Sequence, residues 1–182
     1  MRKTYQEIEL KFKIKDPETF RKELKDKKAK FLGKAFEKTF RFDTPNKDLE
    51  KEGKFLRVRT GFKNTLTLKQ KMKDKEFKVR EEIELEISNP QKMITILKKL
   101  GFARTLIMEK YREKWQFQGA EVVIDKLPMG VYIEIEGTKN SIQKVIEKLN
   151  LNPKEKITKT YWALWKDYSD KRGIKDENIV FS

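Results

Sequence analysis

The chain has 182 residues, with 44 Lys and Arg against 29 Asp and Glu, a net charge of +15. That length allows one domain with a packed core, and 37% hydrophobic content rules out a disordered basic tail. With neither cysteine nor histidine, disulfides, thiolate or imidazole metal sites and Cys or His catalysis are excluded. A metal would have to sit on carboxylate, backbone or water oxygens, which favours Mg²⁺ or Mn²⁺. No apolar run approaches the ~18 residues of a membrane span. The N-terminal stretch MRKTYQEIELK lacks the apolar centre of a signal peptide, so a cytoplasmic location is expected.

Taken in chain order, Tyr5–Ile14 alternates strictly, with Ile8, Leu10, Phe12 and Ile14 on one face and Glu7, Glu9 and Lys11 on the other. Asp16-Pro17 opens a predicted helix through Phe20 and Leu24 to Lys27. Strands are predicted over Gly33–Phe42, Gly53–Thr60, Thr65–Lys71 and Glu76–Ile87, with hairpin turns at Gly61 and Lys73–Lys75. Asn89-Pro90 opens a second helix that ends at Leu100-Gly101. Three more strands follow, Arg104–Gln118, Ala120–Lys126 and Gly130–Gly137. Two helices then finish the chain, Ser141–Leu149 and Lys154–Tyr168, the last burying Tyr161, Trp162, Leu164 and Trp165. No linker divides the sequence, so residues 1–182 are read as one domain.

A faint repeat runs through this order. Glu7-Ile8-Glu9-Leu10, then Asp16-Pro17 and a helix, is echoed by Glu82-Ile83-Glu84-Leu85, then Asn89-Pro90 and a helix. Two such halves give about eight strands, enough to close a barrel around a small ligand.

Positions two apart on a strand share a face. The polar faces so defined carry Arg57 with Arg59, Lys69 with Lys71, Glu82 with Glu84, Lys110 with Arg112, and Glu134 with Glu136. Solvated faces of half-buried strands explain any one of these pairs. If the sheet closes with helices outside, however, the pairs point inward, and buried charge of that density requires a binding partner. A ligand with several phosphates satisfies the cations, and divalent metals satisfy the carboxylates.

Glu7-Ile8-Glu9-Leu10-Lys11 matches the ExExK signature of the CYTH family, the triphosphate tunnel enzymes. It is followed in the family's order by Phe42–Arg59, TLKQK, REEIELEI, EKYREKW, VVIDKLPMGVYIEIEG and KTYWALW. The chain therefore resembles that family over nearly its whole length. The resemblance implies an α+β fold, a closed eight-stranded antiparallel β-barrel with helices packed outside. It implies that Lys11, Arg57, Arg59, Lys69, Lys71, Lys110 and Arg112 cradle a triphosphate, with Lys159 (Lys156 as the alternative) closing on it from the final helix. Glu7, Glu9, Glu134 and Glu136 would hold Mg²⁺ or Mn²⁺, with Glu7 and Glu9 on the catalytic side. Glu82, Glu84 and Asp125 would assist as tunnel acids.

The activity so implied is hydrolysis of a triphosphate (ATP, thiamine triphosphate or tripolyphosphate), or cyclisation of ATP to cyclic AMP and pyrophosphate. The rival from another class is a non-catalytic binder of polyphosphate, nucleotide or an RNA 5′-triphosphate end. A general nucleic-acid barrel would present exposed aromatics among its bases. Tyr111, Trp115 and Phe117 instead alternate with Lys110, Arg112 and Lys114, and so are read as packing. A monomer or homodimer with no membrane partner is expected.

Overall fold

Alternation in the sequence becomes a barrel whose apolar side chains face out and whose charged ones face in. The computed structural model describes residues 5–72 and 78–181, with side chains described for 8–72 and 80–181. The strands are β1 (Tyr5–Ile14), β2 (Lys30–Asp43), β3 (Lys54–Thr60), β4 (Thr65–Lys71), β5 (Lys78–Glu86), β6 (Ala103–Phe117), β7 (Ala120–Leu127) and β8 (Gly130–Glu136). Every neighbouring pair is antiparallel, in the order β1-β5-β4-β3-β2-β6-β7-β8. β8 then pairs back onto β1, with Glu9 opposite Glu136 and Lys11 opposite Glu134, which closes the ring. A closed ring leaves no sheet edge in need of a partner.

The helices start where the sequence places caps. Asp16 accepts from the N–H groups of Glu18 and Thr19 at the head of α1 (Pro17–Asp26), and proline occupies the first turn. The short α2 (Asp48–Lys51), which the sequence reading missed, is held by the buried Asp43 carboxylate accepting from Leu49 and Glu50 N–H. Asn89 repeats the N-terminal device for α3 (Pro90–Lys99). The fourth helix, α4 (Lys139–Lys148), begins two residues before the predicted Ser141 because Thr138 is its cap.

The apolar core lies between barrel and helices rather than inside the barrel. Leu10, Phe12, Trp115, Ile124, Ile133 and Ile135 meet Phe20 and Leu24 of α1 and Ile142, Val145 and Ile146 of α4. On the opposite side, α3 sets Ile94 and Leu97 against Phe42 and Val58. Each such side chain contributes about 1.5–3 kcal/mol when fully buried. The barrel lumen can therefore be polar, because stability is supplied from outside it.

Two expectations need correction. The last helix is α5 (Tyr161–Asp170), not Lys154–Tyr168. Residues 153–155 form a single 3₁₀ turn, and Ile157 N–H donates to the Lys11 carbonyl at 2.7 Å. Thr160 then caps α5, so the helix starts late and presents Tyr161 to the lumen rather than packing wholly outside. Tyr111 is also not core packing. In the middle of β6 it is 52% exposed, in ring contact with Phe36 and Phe181. Trp115 and Phe117 are buried as expected. The turn read at Lys73–Lys75 lies outside the described residues.

Candidate functional site

The inward faces enclose a cavity of about 650 Å³. Eleven Lys and Arg and seven Glu line it among the described residues. Of the side chains singled out in the sequence, Glu9, Lys11, Arg57, Arg59, Lys69, Lys71, Glu82, Glu84, Lys110, Arg112, Glu134 and Glu136 all line this cavity. Asp125 sits directly behind them, fully buried. Glu7 pairs through its backbone with Arg80 on β5, but its side chain lies outside the described residues. Lys159 is not brought to the cavity. It precedes α5 and pairs with Asp167 at 2.6 Å, both side chains more than half exposed, and Lys156 is exposed as well.

Charge within the cavity is divided between two walls. On the side of β1, β6, β7 and β8, with Glu37 reaching in from the neighbouring β2, the carboxylates Glu9, Glu37, Asp125, Glu134 and Glu136 surround Lys11, Lys110 and Arg112. Arg112 donates from Nε to Asp125 Oδ1 at 2.7 Å and from Nη2 to Glu134. Lys110 Nζ donates to Asp125 Oδ2 at 3.0 Å, and Lys11 Nζ donates to Glu134. Tyr161 closes this network: its hydroxyl donates to Asp125 Oδ2 at 2.9 Å. Lys11 Nζ lies 4.4 Å from its ring centroid and Lys110 Nζ 5.5 Å, within cation–π range. Burial pushes the Tyr161 hydroxyl well above its ordinary pKa, and the Asp125 charge adds to the shift. Burial also lowers the Lys110 ammonium, helped by the like charge of Arg112 and opposed by Asp125.

Glu37 is the wall residue that the sequence reading missed. It stands opposite Lys110 in the β2–β6 ladder and is 2% exposed. Its Oε2 lies 3.6 Å from Lys110 Nζ and 3.8 Å from Arg112 Nε, and has no hydrogen-bond donor among the described residues. Burial alone would raise its pKa, but Lys110 and Arg112, with Arg59 and Arg57 beyond, outweigh burial and hold it at about 2. Gly61 explains how the carboxylate fits. A Cβ there would stand 2.7 Å from Glu37 Cγ, so the turn after β3 must be glycine to approach. The available signal was period two on β2, which puts Glu37, Thr39 and Arg41 on one face.

The other wall, from β2 to β5, has the opposite balance. Arg57, Arg59 and Lys69, with Arg41, Lys54, Lys71 and Arg80 toward one rim, face the cavity with Glu50, Glu82 and Glu84. Lys69 pairs with Glu82 at 2.9 Å, and Arg59 Nη2 donates to Glu84 at 3.3 Å. Thr67 Oγ1 donates to Glu84 at 2.8 Å. Burial raises the Glu84 pKa, but this bond and the two arginines bring the net shift downward. Arg59 Nε is buried with no acceptor among the described residues. A buried donor so placed favours an incoming anion.

A closed barrel with paired carboxylates, guanidiniums and ammoniums inside it can be compared with known proteins. The CYTH domain model matches residues 5–161. The chain belongs to the CYTH family. A protein of Methanocaldococcus jannaschii, named "Putative adenylate cyclase", is 33% identical over 170 residues, 87% of this chain and 97% of its own. A structure from Pyrococcus horikoshii OT3 is 26% identical with a TM-score of 0.74, covering 85% of this chain and 96% of that one. A Hippeastrum adenylyl cyclase-like protein, described as having a dominant triphosphatase activity, matches with a TM-score of 0.64 at 20% identity, over 89% and 96% of the two chains. That identity shows the shared fold alone. In this CYTH chain no helix among the described residues is long and apolar enough to cross a membrane.

Proposed function

We propose that the cavity binds a triphosphate and, with Mg²⁺ or Mn²⁺, hydrolyses it. The candidate substrates are tripolyphosphate, thiamine triphosphate and ATP. The observation that carries this reading is the cationic wall: Arg57, Arg59 and Lys69 converge on one enclosed space with an excess of positive charge around them. Phosphoryl transfer needs positioning and charge neutralisation more than covalent help from side chains. Arg59 offers its unengaged Nε to a phosphate oxygen, and Arg57 and Lys69 exchange part of their pairing with Glu82 and Glu84 for the substrate. The displaced carboxylates stay close and hold the cations in position.

The opposite wall fits a divalent ion. Glu9 and Glu136 are direct partners across β1 and β8 and both line the cavity, with Glu134 one step along. Among the described residues no three carboxylates are grouped as a complete metal site. Mg²⁺, however, takes one or two carboxylates together with substrate phosphates and water. Glu9 and Glu136, with Glu7 two residues before Glu9, would hold it. The ion would neutralise phosphate charge and lower the pKa of a bound water. Asp125, locked by Arg112, Lys110 and Tyr161, keeps the cations at the junction of the two walls oriented toward the lumen.

The M. jannaschii relative's name supports a second reading, cyclisation of ATP to cyclic AMP and pyrophosphate in the same cradle. A panel of ATP, thiamine triphosphate and tripolyphosphate with Mg²⁺ or Mn²⁺, resolving cyclic AMP, pyrophosphate and orthophosphate, separates the two. Orthophosphate release from any substrate supports hydrolysis, whereas cyclic AMP with pyrophosphate from ATP supports the cyclase. Tight binding with no product under any condition would make the protein a triphosphate receptor.

A further inference from the structure

At one rim of the cavity a phenylalanine ring holds two guanidiniums that the triphosphate cradle does not use. Phe55 lies two residues before Arg57 on β3, on the same inward face. The Arg41 guanidinium lies 5.3 Å from its ring centroid and that of Arg80 5.9 Å, so both stack on it as cation–π partners. Arg41 is the direct partner of Arg57 across β2 and β3. The guanidinium row Arg59, Arg57 therefore continues on the next strand, about 4.8 Å away.

Two observations mark Arg41 as a ligand contact rather than a structural ion pair. Its Nε is buried with no acceptor among the described residues. Its carboxylate neighbour, Glu50, is 3.5 Å away and 42% exposed, and a pair of that kind contributes little in water. By contrast, Arg112 in the opposite wall donates from Nε and Nη2 to buried carboxylates.

We infer that the Arg41–Phe55–Arg80 rim is a fourth phosphate subsite, which extends the cradle to linear phosphates longer than three units. The inference rests on the triphosphate reading above and deepens it. A fourth phosphoryl group, carried on a chain held at Arg57 and Arg59, would reach Arg41 Nε and the facing Arg80 guanidinium. The Phe55 ring excludes water behind them, which strengthens each charge-assisted bond.

The test is equilibrium binding of tripolyphosphate and tetrapolyphosphate in metal-free buffer by calorimetry. Wild type is expected to bind tetrapolyphosphate at least about tenfold more tightly, the scale of one charge-assisted contact. Arg41→Ala should bring that ratio to about one while changing tripolyphosphate affinity by less than about threefold. Arg41→Lys keeps the charge but loses the Nε donor, and should lose most of the preference as well. Lys54→Ala removes a cation from the same rim and should leave the ratio intact, which separates a built subsite from general charge attraction. A wild-type ratio near one, an Arg41→Ala ratio equal to wild type, or equal losses for both phosphates would each overturn the subsite. If neither phosphate binds wild-type protein, the triphosphate reading itself is wrong.

Discussion

Glu37 offers the most direct test of how the cavity tolerates its charges. Two cations stand 3.6 and 3.8 Å from its Oε2, each worth about 4 kcal/mol at an effective dielectric of about 20, before the cost of burial is subtracted. The net outcome is a pKa of about 2 instead of 4.5. At about 1.4 kcal/mol per unit, that shift is on the order of 3 kcal/mol of stability. The sign follows from the direction. Because the folded pKa is depressed, the contribution is complete above about 4.5 and is lost as pH falls toward about 2. Urea denaturation of wild type and Glu37→Gln should therefore differ by about 3 kcal/mol at pH 7 and by roughly half that near pH 3. A difference below about 0.5 kcal/mol at pH 7, or one that does not shrink in acid, would refute the argument that Glu37 is an essential counter-ion of Lys110 and Arg112.

Three further outcomes follow from the two walls. Arg59→Ala should weaken tripolyphosphate binding about ten- to hundredfold with little change in Tm, because its carboxylate neighbour Glu84 keeps Thr67 and Arg57; calorimetry beside a thermal melt checks both halves. Tyr161→Phe keeps the ring over Lys11 but leaves Asp125 one donor short, and should cost about 1–3 kcal/mol in urea denaturation. Glu9→Gln should abolish single-turnover product formation while metal-free triphosphate binding persists or tightens; wild-type turnover in that variant would remove Glu9 from the proposed metal wall.

Much of this was legible because a barrel strand writes its two faces into alternate letters. Arg57 and Arg59, Lys69 and Lys71, Lys110 and Arg112, and Glu134 and Glu136 were each found as same-face pairs, and the structure brings all of them to one cavity. Caps at Asp16 and Asn89 located two helices by local chemistry alone. What failed depended on long-range geometry. Lys159 looked like part of a final helix, but the chain first pairs Ile157 with Lys11 and only then turns at Thr160. Tyr111 alternated like a core residue, yet it stays half exposed, in a surface cluster with the rings of Phe36 and Phe181. Glu37 and Arg41 were passed over because Lys38 gives the outward face of β2 a charge as well and Thr39 gives the inward face an uncharged residue, a mixed pattern that hides the alternation.

The strand order explains why the two walls differ in sign. Exchanging β1–β4 with β5–β8 leaves every strand neighbour in the ring unchanged, so the sequence repeat corresponds to a two-fold arrangement of the barrel. Equivalent strands have nevertheless taken opposite charges. β3 and β4 present Arg57, Arg59 and Lys69, whereas β7 and β8 present Asp125, Glu134 and Glu136. Their counter-ions come from the strand next in the ring: Glu82 and Glu84 on β5 for the cationic wall, Lys110 and Arg112 on β6 for the acidic one. A symmetric lumen would present the same mixed charge twice and favour neither ion. With the signs separated, the proposed triphosphate and divalent cation would each meet a complementary wall within one enclosed volume. The buried charges that are costly by themselves are then those that such a pair would neutralise.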